Sequence, residues 1–566
     1  MNNIQKILLA AAVSAALAGC ATGTRSDSLG LAENETVKTY AAAYQPARDM
    51  LNAGQFDELK AKVLKNAVDE EGKALSNEEA YEKLIADASE LSIMERGLIA
   101  LNTGDVKRAL FFFDAAEEKL NLSEENSNMA DSAVSGAKSG LAAIIGSAEL
   151  ADYDVRSYEK VMLLNYKALC HMLLGDRKAY NVTRRAIDLQ QEEWEKFQQK
   201  KAEFDEKMEK MKAEAKENAE KKAAEQKAAA EAARQQALQA QKNAQQAQAT
   251  AAASSLLGFI PGLGGAAAAV QGANAAATAA QSAAQTADAT LDTLDQLLEV
   301  FTSLNIDDRS KSVVNKANLV ASAYVNPFGD YMNALLQEFD SLEDPALRDN
   351  ARISYEKVAK NNKDCGAAKT AQKAVMKGIG SNQKLVQVIL SDGFAPYQLE
   401  KSRTFQVGKY KATVNLANAT PVESSVTSAR VKVGGKTVKM SSLTKMESII
   451  LRDEQDNLPW RTFDVATALV RSALANDKLG ALGGAAVAAL QHPDTRSWLS
   501  LPNQVLVSRI VVPASQQSLE IQTLDKSGKA LSSAKVDLAD QGPTVVYAVN
   551  YGTHMKAYAN AFSWVN

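Results

Sequence analysis

The chain of 566 residues has a formal net charge of −4, which gives no electrostatic reason to expect a nucleic-acid partner. Its hydrophobic content of 46% is enough for several packed units, and only 11 prolines with 6% aromatic residues favour a helix-rich protein. Beyond the N-terminal region, no apolar run is long enough to span a bilayer.

The N-terminus carries the parts of a bacterial secretory signal. Lys6 supplies a positive charge, and Ile7–Leu17 is an apolar run that falls short of the about 20 residues of a membrane-spanning helix. Leu17-Ala18-Gly19-Cys20 closely resembles the bacterial lipobox. The resemblance implies cleavage before Cys20 and diacylglycerol on its sulfur, so residues 1–19 are predicted as a signal peptide. An ordinary signal peptide with a chance cysteine is the alternative.

Lipid on Cys20 would hold the mature chain firmly, because several acyl chains anchor a protein where a single chain is marginal. Ala21 follows the cysteine, and an aspartate there would favour retention in the inner membrane. The sequence therefore predicts an outer-membrane location on the periplasmic face. Residues 20–36 are predicted as a lipidated tether, since the stretch after the cysteine is polar and contains glycine.

Residues 37–190 are predicted as paired helices. Apolar residues at helical spacing run from Ile93 to Leu120 around a turn at Gly104-Asp105. A similar pattern surrounds Gly175-Asp176 further along, after the Ser- and Asn-rich stretch Ser123–Ser139. These units resemble tetratricopeptide repeats, which must stack because one helix pair cannot bury its own apolar face. Such a stack would form a concave scaffold, and a plain helical bundle is the alternative.

Residues 191–305 are predicted as an Ala- and Gln-rich coiled-coil hairpin. An apolar seam with a spacing of about 3.5 residues consists of Trp194, Phe197, Phe204, Met208, Met211 and Ala215. A Gly- and Pro-containing break at 256–265 ends this helix, and helix-forming composition returns at 266–301. The two stretches favour an antiparallel pair within the chain. Self-association through the seam and a single solvated helix are the alternatives.

The break between the two stretches is itself apolar, with Phe259, Ile260 and Leu263 at its centre. An apolar tip on a polar helical hairpin favours contact with a partner or a membrane surface. The alternative is a tip that packs against the body of the protein.

The remaining chain divides into a helical connector at 306–383 and a β-rich domain at 384–566. Alternating residues on both sides of Gly434-Gly435 predict a β-hairpin, and other short strands follow at regular spacing. A helix is predicted within this domain at 463–490. The predicted fold class is thus α+β and mainly α, with tetratricopeptide-like repeats, a coiled-coil hairpin and a small C-terminal β-sandwich with an inserted helix.

Motifs for catalysis and metal binding are absent from the sequence. The three histidines have no HExxH spacing, and there is no CxxC, GxSxG or Walker motif. The sequence therefore predicts no catalytic residue, no metal and no cofactor. Cys170 lies on the apolar side of a helical pattern and is expected to be a buried small residue, with a disulfide to Cys365 as the alternative.

Asp494, Arg496 and Trp498 alternate along an extended segment, so their side chains would share one face. Arg496 could pair with Asp494 or stack on Trp498. The three residues are predicted either as a recognition surface for a partner or as a structural clasp that joins the helices to the sandwich. The clasp is the favoured interpretation.

Several stretches carry a family resemblance. They are Tyr166-Lys167-Ala168-Leu169 with Gly175-Asp176, Arg184-Arg185-Ala186, Asn326-Pro327-Phe328, and Asp494-Thr495-Arg496-Ser497-Trp498 with Leu501-Pro502. Together they resemble a family of largely uncharacterised bacterial outer-membrane lipoproteins with tetratricopeptide-like repeats. The resemblance spans most of the mature chain, although the long Ala- and Gln-rich hairpin is not part of the family's core. The family has no assigned catalytic residues to carry over.

The sequence thus predicts a non-enzymatic, lipid-anchored scaffold or adaptor in a cell-envelope assembly. Its partners would be membrane lipid through Cys20 and envelope proteins through the repeats and the coiled coil, with no nucleic acid. One alternative is an enzyme that acts on cell-wall glycan, with an acid and a base among the many carboxylates. Another is a spacer subunit of a secretion or appendage complex.

Overall fold

The computed structural model describes residues 40–63, 76–129, 153–254, 297–304, 306–307, 309–407, 410–479, 493–540 and 542–562. The predicted signal peptide with Cys20 and the predicted hairpin tip with Phe259, Ile260 and Leu263 lie outside the described residues. Within the described ranges the chain is α+β and mainly helical, as the sequence predicts.

Seven helices make up the N-terminal part that the structure describes. They are α1 (Tyr40–Asn52), α2 (Phe56–Val63), α3 (Asn77–Asp87), α4 (Glu90–Asn102), α5 (Val106–Met129), α6 (Ser157–Leu173) and α7 (Lys178–Ser254). The turns predicted at Gly104 and Gly175 join α4 to α5 and α6 to α7, with φ values of 91° and 71°. Glycine is favoured at both positions because a side chain in this left-handed region is strained.

Helix α7 is a single element of 77 residues, which corresponds to a length of about 115 Å. It contains no glycine or proline, so nothing in the sequence interrupts its backbone hydrogen bonds. The long helix predicted from residue 190 is therefore confirmed. This helix is continuous with the helix that follows the Gly175 turn.

The connector consists of four helices, α8 (Lys311–Ala317), α9 (Phe328–Glu343), α10 (Arg348–Asn361) and α11 (Gly366–Ala374). Helix α9 begins directly after Asn326-Pro327. The backbone N–H of Phe328 donates to Asn326 Oδ1 at 3.1 Å, which satisfies a helix-start donor that would otherwise lack a partner. This contact explains why the chain turns into a helix at Phe328.

Eleven strands are described. They are β1 (Gln383–Asp392), β2 (Tyr397–Val407), β3 (Tyr410–Thr420), β4 (Ser428–Val433), β5 (Lys436–Lys439), β6 (Ser441–Lys445), β7 (Gln504–Pro513), β8 (Ser518–Leu524), β9 (Ala530–Asp537), β10 (Thr544–Tyr551) and β11 (His554–Ala561). They form a five-stranded sheet in the order β11-β10-β1-β7-β6, a four-stranded sheet in the order β5-β4-β8-β9, and the two-stranded β2-β3. Strands β1 and β10 pair in parallel, and the other described pairs are antiparallel.

The five-stranded sheet lies between the helices and the four-stranded sheet. Along β1, Leu385 and Ile389 belong to the large hydrophobic cluster that contains the helices. Val386, Val388 and Leu390 belong instead to a second cluster shared with the four-stranded sheet. Because strand side chains alternate between faces, one strand supplies both cores. This accounts for the nearly uninterrupted burial of β1 and β10.

Several elements differ from the predictions for the β-rich part. The hairpin around Gly434-Gly435 is confirmed by the pairing of β4 with β5. The helix expected at 463–490 begins earlier, as α13 (Leu458–Leu479), and residues 480–492 lie outside the described part. Helix α12 (Met446–Asp456) and strands β2, β6 and β11 were not predicted, because their segments mix polar and apolar residues without a clear period.

Candidate functional site

The segment with Asp494, Arg496 and Trp498 runs between the helices and the five-stranded sheet. Trp498 is only 2% exposed, and its ring lies 6.3 Å from that of Phe113 and 6.1 Å from that of Tyr166. It is thus enclosed by α5, α6 and the sheet. Trp498 cannot belong to an exposed recognition surface, so this part of the partner-binding prediction is wrong, and the interpretation as a clasp agrees with the burial.

Two buried carboxylates hold the backbone of this clasp, which comprises residues 494–502. Glu159 Oε1 accepts a hydrogen bond from the N–H of Trp498 at 2.8 Å. Glu95 accepts from the N–H groups of Leu499 at 2.6 Å and Ser500 at 3.0 Å. The carboxylates replace the backbone partners that the segment lacks, because it forms no strand here.

Glu95 is almost completely buried, with 1% of its surface exposed. Burial raises the pKa of Glu95 to about 8, and the donors at Ser500, Leu499 and Tyr40 oppose that rise. Glu95 was not among the residues predicted from the sequence. The available signal was the charged pair Glu95-Arg96 inside an otherwise apolar stretch that begins at Ile93.

Asp494 and Arg496 form an ion pair next to the clasp. Arg496 Nε donates to Asp494 Oδ1 at 3.0 Å, and a terminal guanidinium nitrogen lies 2.7 Å from Asp494 Oδ2. The guanidinium lies 5.2 Å from the ring centroid of Tyr153, so Arg496 stacks on Tyr153 and not on Trp498. Of the two contacts considered for Arg496, the pairing with Asp494 is therefore the one present, whereas Trp498 is buried in the core.

Asp494 also lines a cleft of about 530 Å³ where the start of α6 and the end of α12 approach α7. The lining residues are Tyr153, Asp154, Val155, Arg156, Ser157, Lys160, Glu193, Lys196, Phe197, Lys200, Tyr324, Asp453, Asn457 and Asp494. This volume lies within the range of small-molecule sites in proteins, about 300–1,000 Å³. We refer to it as the basal cleft, because it lies beside the first part of α7 that follows the helix pairs.

In the basal cleft, the guanidinium of Arg156 lacks a hydrogen-bond partner for one of its N–H groups among the described residues. The guanidinium of Arg156 pairs with Asp453, whose Oδ2 lies 3.7 Å from a terminal nitrogen, longer than a hydrogen bond. Within the described part of the chain, Arg156 Nε is buried and has no hydrogen-bond partner. Burial raises the pKa of Asp453 to about 6, although Arg156 lowers it. Buried donors normally have partners, so Arg156 requires an explanation.

A second acid of the basal cleft is satisfied by its neighbours. Glu193 accepts from Ser157 Oγ at 2.6 Å and from Lys196 Nζ at 3.1 Å, and Lys160 Nζ lies 3.8 Å away. Burial alone would raise the pKa of Glu193, but these three groups together lower it. Asp453 and Glu193 therefore have pKa values shifted in opposite directions within one cleft.

The aromatic wall of the basal cleft continues along α7. Its rings, which we call the aromatic ladder, are Trp194, Phe197, Phe204, Phe301, Tyr324, Trp460 and Phe463. Neighbouring centroids are 4.9 Å apart for Phe197 and Tyr324, and 5.3 Å apart for Phe204 and Trp460. The predicted seam thus faces the interior, but its contacts include α13 and not only the returning stretch of the chain, which contributes Phe301 at 6.5 Å from Phe204.

The histidine and cysteine residues singled out in the sequence make structural contacts. His171 Nδ1 lies 2.9 Å from Asp176 Oδ2 across the turn before α7. Cys170 and Cys365 are both buried and free, so the alternative of a disulfide between them is wrong. In the described ranges, no three His, Cys, Asp or Glu side chains are grouped as metal ligands would be.

No helix among the described residues has both the length and the apolar character needed to cross a membrane. Comparisons with family models, with curated proteins and with solved structures found no match.

Proposed function

We propose that this protein is a lipid-anchored periplasmic scaffold of the cell envelope, tethered to the outer membrane through Cys20 and without catalytic activity. It belongs, on this proposal, with the outer-membrane lipoproteins whose tetratricopeptide-like repeats its sequence resembles. Its partners would be envelope proteins that bind the helix pairs and the long helical arm. The arm is the predicted hairpin at 191–305, of which α7 supplies the described portion.

One observation carries the proposal, namely the way in which α7 is attached. Phe197, Met208 and Met211 are buried, and the aromatic ladder fastens this part of the helix to α13. From Glu220 to Ala240, every side chain whose exposure is described is exposed. A helix that is fixed at one end and solvated beyond it is suited to hold a binding surface at a distance.

The helix has the composition needed to persist beyond its attachment without a core. On the solvent-facing side of the attached part, ion pairs join Glu206 to Lys210 at 2.6 Å and Glu209 to Lys212 at 2.8 Å, one helical turn apart. Each exposed pair of this kind contributes only about 0.2–0.5 kcal/mol, but alanine adds the strongest intrinsic helix preference. The arm therefore needs little packing along its length.

The finer fold supports the same proposal. The helix pairs α1–α2, α4–α5 and α6–α7 each enclose a glycine turn, which is what stacked tetratricopeptide-like units would require. The four- and five-stranded sheets share a hydrophobic cluster, which suits a small β-sandwich. In this arrangement the sandwich stiffens the body that carries the repeats and the arm.

The arm is tested by a deletion that spares its attachment. Residues 223–290 are replaced by a short flexible linker, so that the aromatic ladder and residues 297–304 stay. We expect circular dichroism to lose helix, small-angle scattering to show a shorter particle, and crosslinking in cells to recover fewer partners. Glu225→Ala, a single exposed change on the arm, is the matched control and should keep the partner set. Full retention of partners by the deletion variant would refute the role of the arm.

The anchor is tested separately. Cys20→Ser should abolish lipid labelling and release the protein from membranes into the soluble periplasmic fraction. If this variant still fractionates with the outer membrane, another contact and not lipid provides the tether. Loss of the anchor with partners retained would separate the scaffold role from the attachment.

A second candidate is hydrolysis of cell-wall glycan, and one observation favours it. Asp453 and Glu193 line the same cleft with pKa values shifted in opposite directions, which is the requirement for an acid and a base in one site. Incubation with purified peptidoglycan should then release soluble fragments, and Asp453→Asn should abolish the release. No release by the unmodified protein would exclude this candidate.

A further inference from the structure

We propose that the basal cleft binds a short peptide and holds its free C-terminal carboxylate at Arg156. The proposal does not rest on the scaffold function, because it is drawn from the lining of the cleft alone. It names a ligand class for a site that the long helix and the helix pairs do not explain.

First, Arg156 has hydrogen-bond donors that the described part of the chain does not use. Its Nε has no partner among the described residues, and Asp453 lies too far away, at 3.7 Å, for a good hydrogen bond. A guanidinium binds a carboxylate with two parallel hydrogen bonds, and such charge-assisted bonds are among the strongest in proteins. The Arg156 side chain is 27% exposed, so a ligand carboxylate would bind its terminal nitrogens, which also lack a short hydrogen bond to Asp453.

The second argument is the balance of charge around the cleft. Four cations line it, Arg156, Lys160, Lys196 and Lys200, against four acids, Asp154, Glu193, Asp453 and Asp494. Arg496, which is not part of the lining, neutralises Asp494 through their ion pair. The lining thus offers cationic side chains to a ligand carboxylate. The remaining acids suit the N–H groups of a peptide backbone.

The third argument is the combination of size and apolar surface. The volume of about 530 Å³ exceeds the needs of a simple inorganic anion. Tyr153, Phe197 and Tyr324 supply aromatic surface beside the charged groups. Rings next to paired donors and acceptors suit a ligand with polar backbone and apolar side chains. A short peptide has all of these features.

The test uses the mature full-length protein and two synthetic mixtures of tripeptides randomised at all three positions. One mixture has free C-terminal carboxylates, and the other is C-terminally amidated. Native mass spectrometry should detect one-to-one complexes with the acid mixture and at least about tenfold fewer with the amides, since loss of a charged partner costs about 1.4 kcal/mol or more. Unchanged masses of the recovered peptides would separate binding from hydrolysis.

Variants identify the site. Arg156→Met and Lys160→Met should each weaken binding of a selected peptide by about tenfold, and Arg156→Lys should restore only part of the loss because lysine lacks the planar fork. Asp456→Asn is the control, since Asp456 pairs with Arg452 and does not line the cleft. Equal binding of acids and amides, no binding of either mixture, or full binding by Arg156→Met would overturn the proposal.

Discussion

Two ionic clusters near the start of α6 differ in how fully their charged groups are satisfied. At the clasp, Glu159 and Glu95 accept backbone hydrogen bonds at 2.6–3.0 Å. In the basal cleft, Arg156 keeps an unpartnered Nε. An acidic group whose oxygens all have donors stabilises one conformation of the chain, whereas a cation with an open donor is suited to a ligand. The comparison separates a structural element from a candidate binding site in the same neighbourhood.

The largest effect is expected from Glu95→Ala. The change leaves two backbone N–H groups of the clasp and the hydroxyl of Tyr40 without their acceptor, at a residue that is 1% exposed. Each unsatisfied buried group costs about 1–3 kcal/mol, so we expect the free energy of unfolding to fall by roughly 3 kcal/mol or more. Denaturant unfolding measures it. Glu58→Ala, at an exposed ion pair with Lys62, is the control and should change stability by less than about 0.5 kcal/mol.

The pH dependence of stability should show an intermediate effect. Burial raises the pKa of Glu95 from its ordinary value of 4.5 to about 8. Between these values the native state keeps a proton that the unfolded chain has released. The contribution of Glu95 is therefore fully present below pH 4.5 and is lost as pH rises towards 8.

Glu95→Gln cannot titrate, so its stability should decline less over this interval than that of the unmodified protein. Unfolding measured at intervals of about one pH unit would show the two curves converging as pH rises, at about 1.4 kcal/mol per unit of pKa difference at most. Parallel curves would mean that the native carboxylate keeps an ordinary pKa. The extra donors around it would then outweigh its burial.

The smallest effect on stability is expected from Arg156→Met. Its guanidinium makes no short hydrogen bond that the fold would lose, and a methionine can cover the same apolar surface. We expect a change of about 1 kcal/mol or less in the free energy of unfolding, because the ion pair with Asp453 is long, at 3.7 Å, and the Arg156 side chain is 27% exposed. Asp453, whose pKa is already raised to about 6 by burial, can take up a proton when its partner is removed. A loss as large as that of Glu95→Ala would place Arg156 among the structural groups and remove the contrast between the two clusters.

The long helix shows which features of the fold a local sequence pattern can predict. The absence of glycine and proline and the seam that includes Phe197 and Met208 predicted both the helix and its buried face. The same pattern left the partner open, because periodicity records which side is apolar and not what covers it. Trp460 and Phe463 of α13, more than 200 residues away in the chain, supply much of that cover.

The clasp shows a feature that a local sequence pattern cannot predict. Asp494, Arg496 and Trp498 could be singled out from the sequence, and the ion pair between the first two was predicted. The burial of Trp498 could not be, because the rings around it come from α5 and α6. A tryptophan has no local signature that distinguishes a core position from a binding surface.

The sequence by itself determined the helix-rich α+β composition, the glycine turns, the long uninterrupted helix and the hairpin at Gly434-Gly435, because these depend on backbone preferences and on neighbouring residues. Only the tertiary structure decided that the five-stranded sheet serves two cores, that Glu95 holds the clasp, and that Arg156, Glu193 and Asp453 line one cleft. Those three cleft residues lie on separate helices or at their ends, up to about 300 positions apart. Their proximity follows from the packing of elements, which no local pattern records.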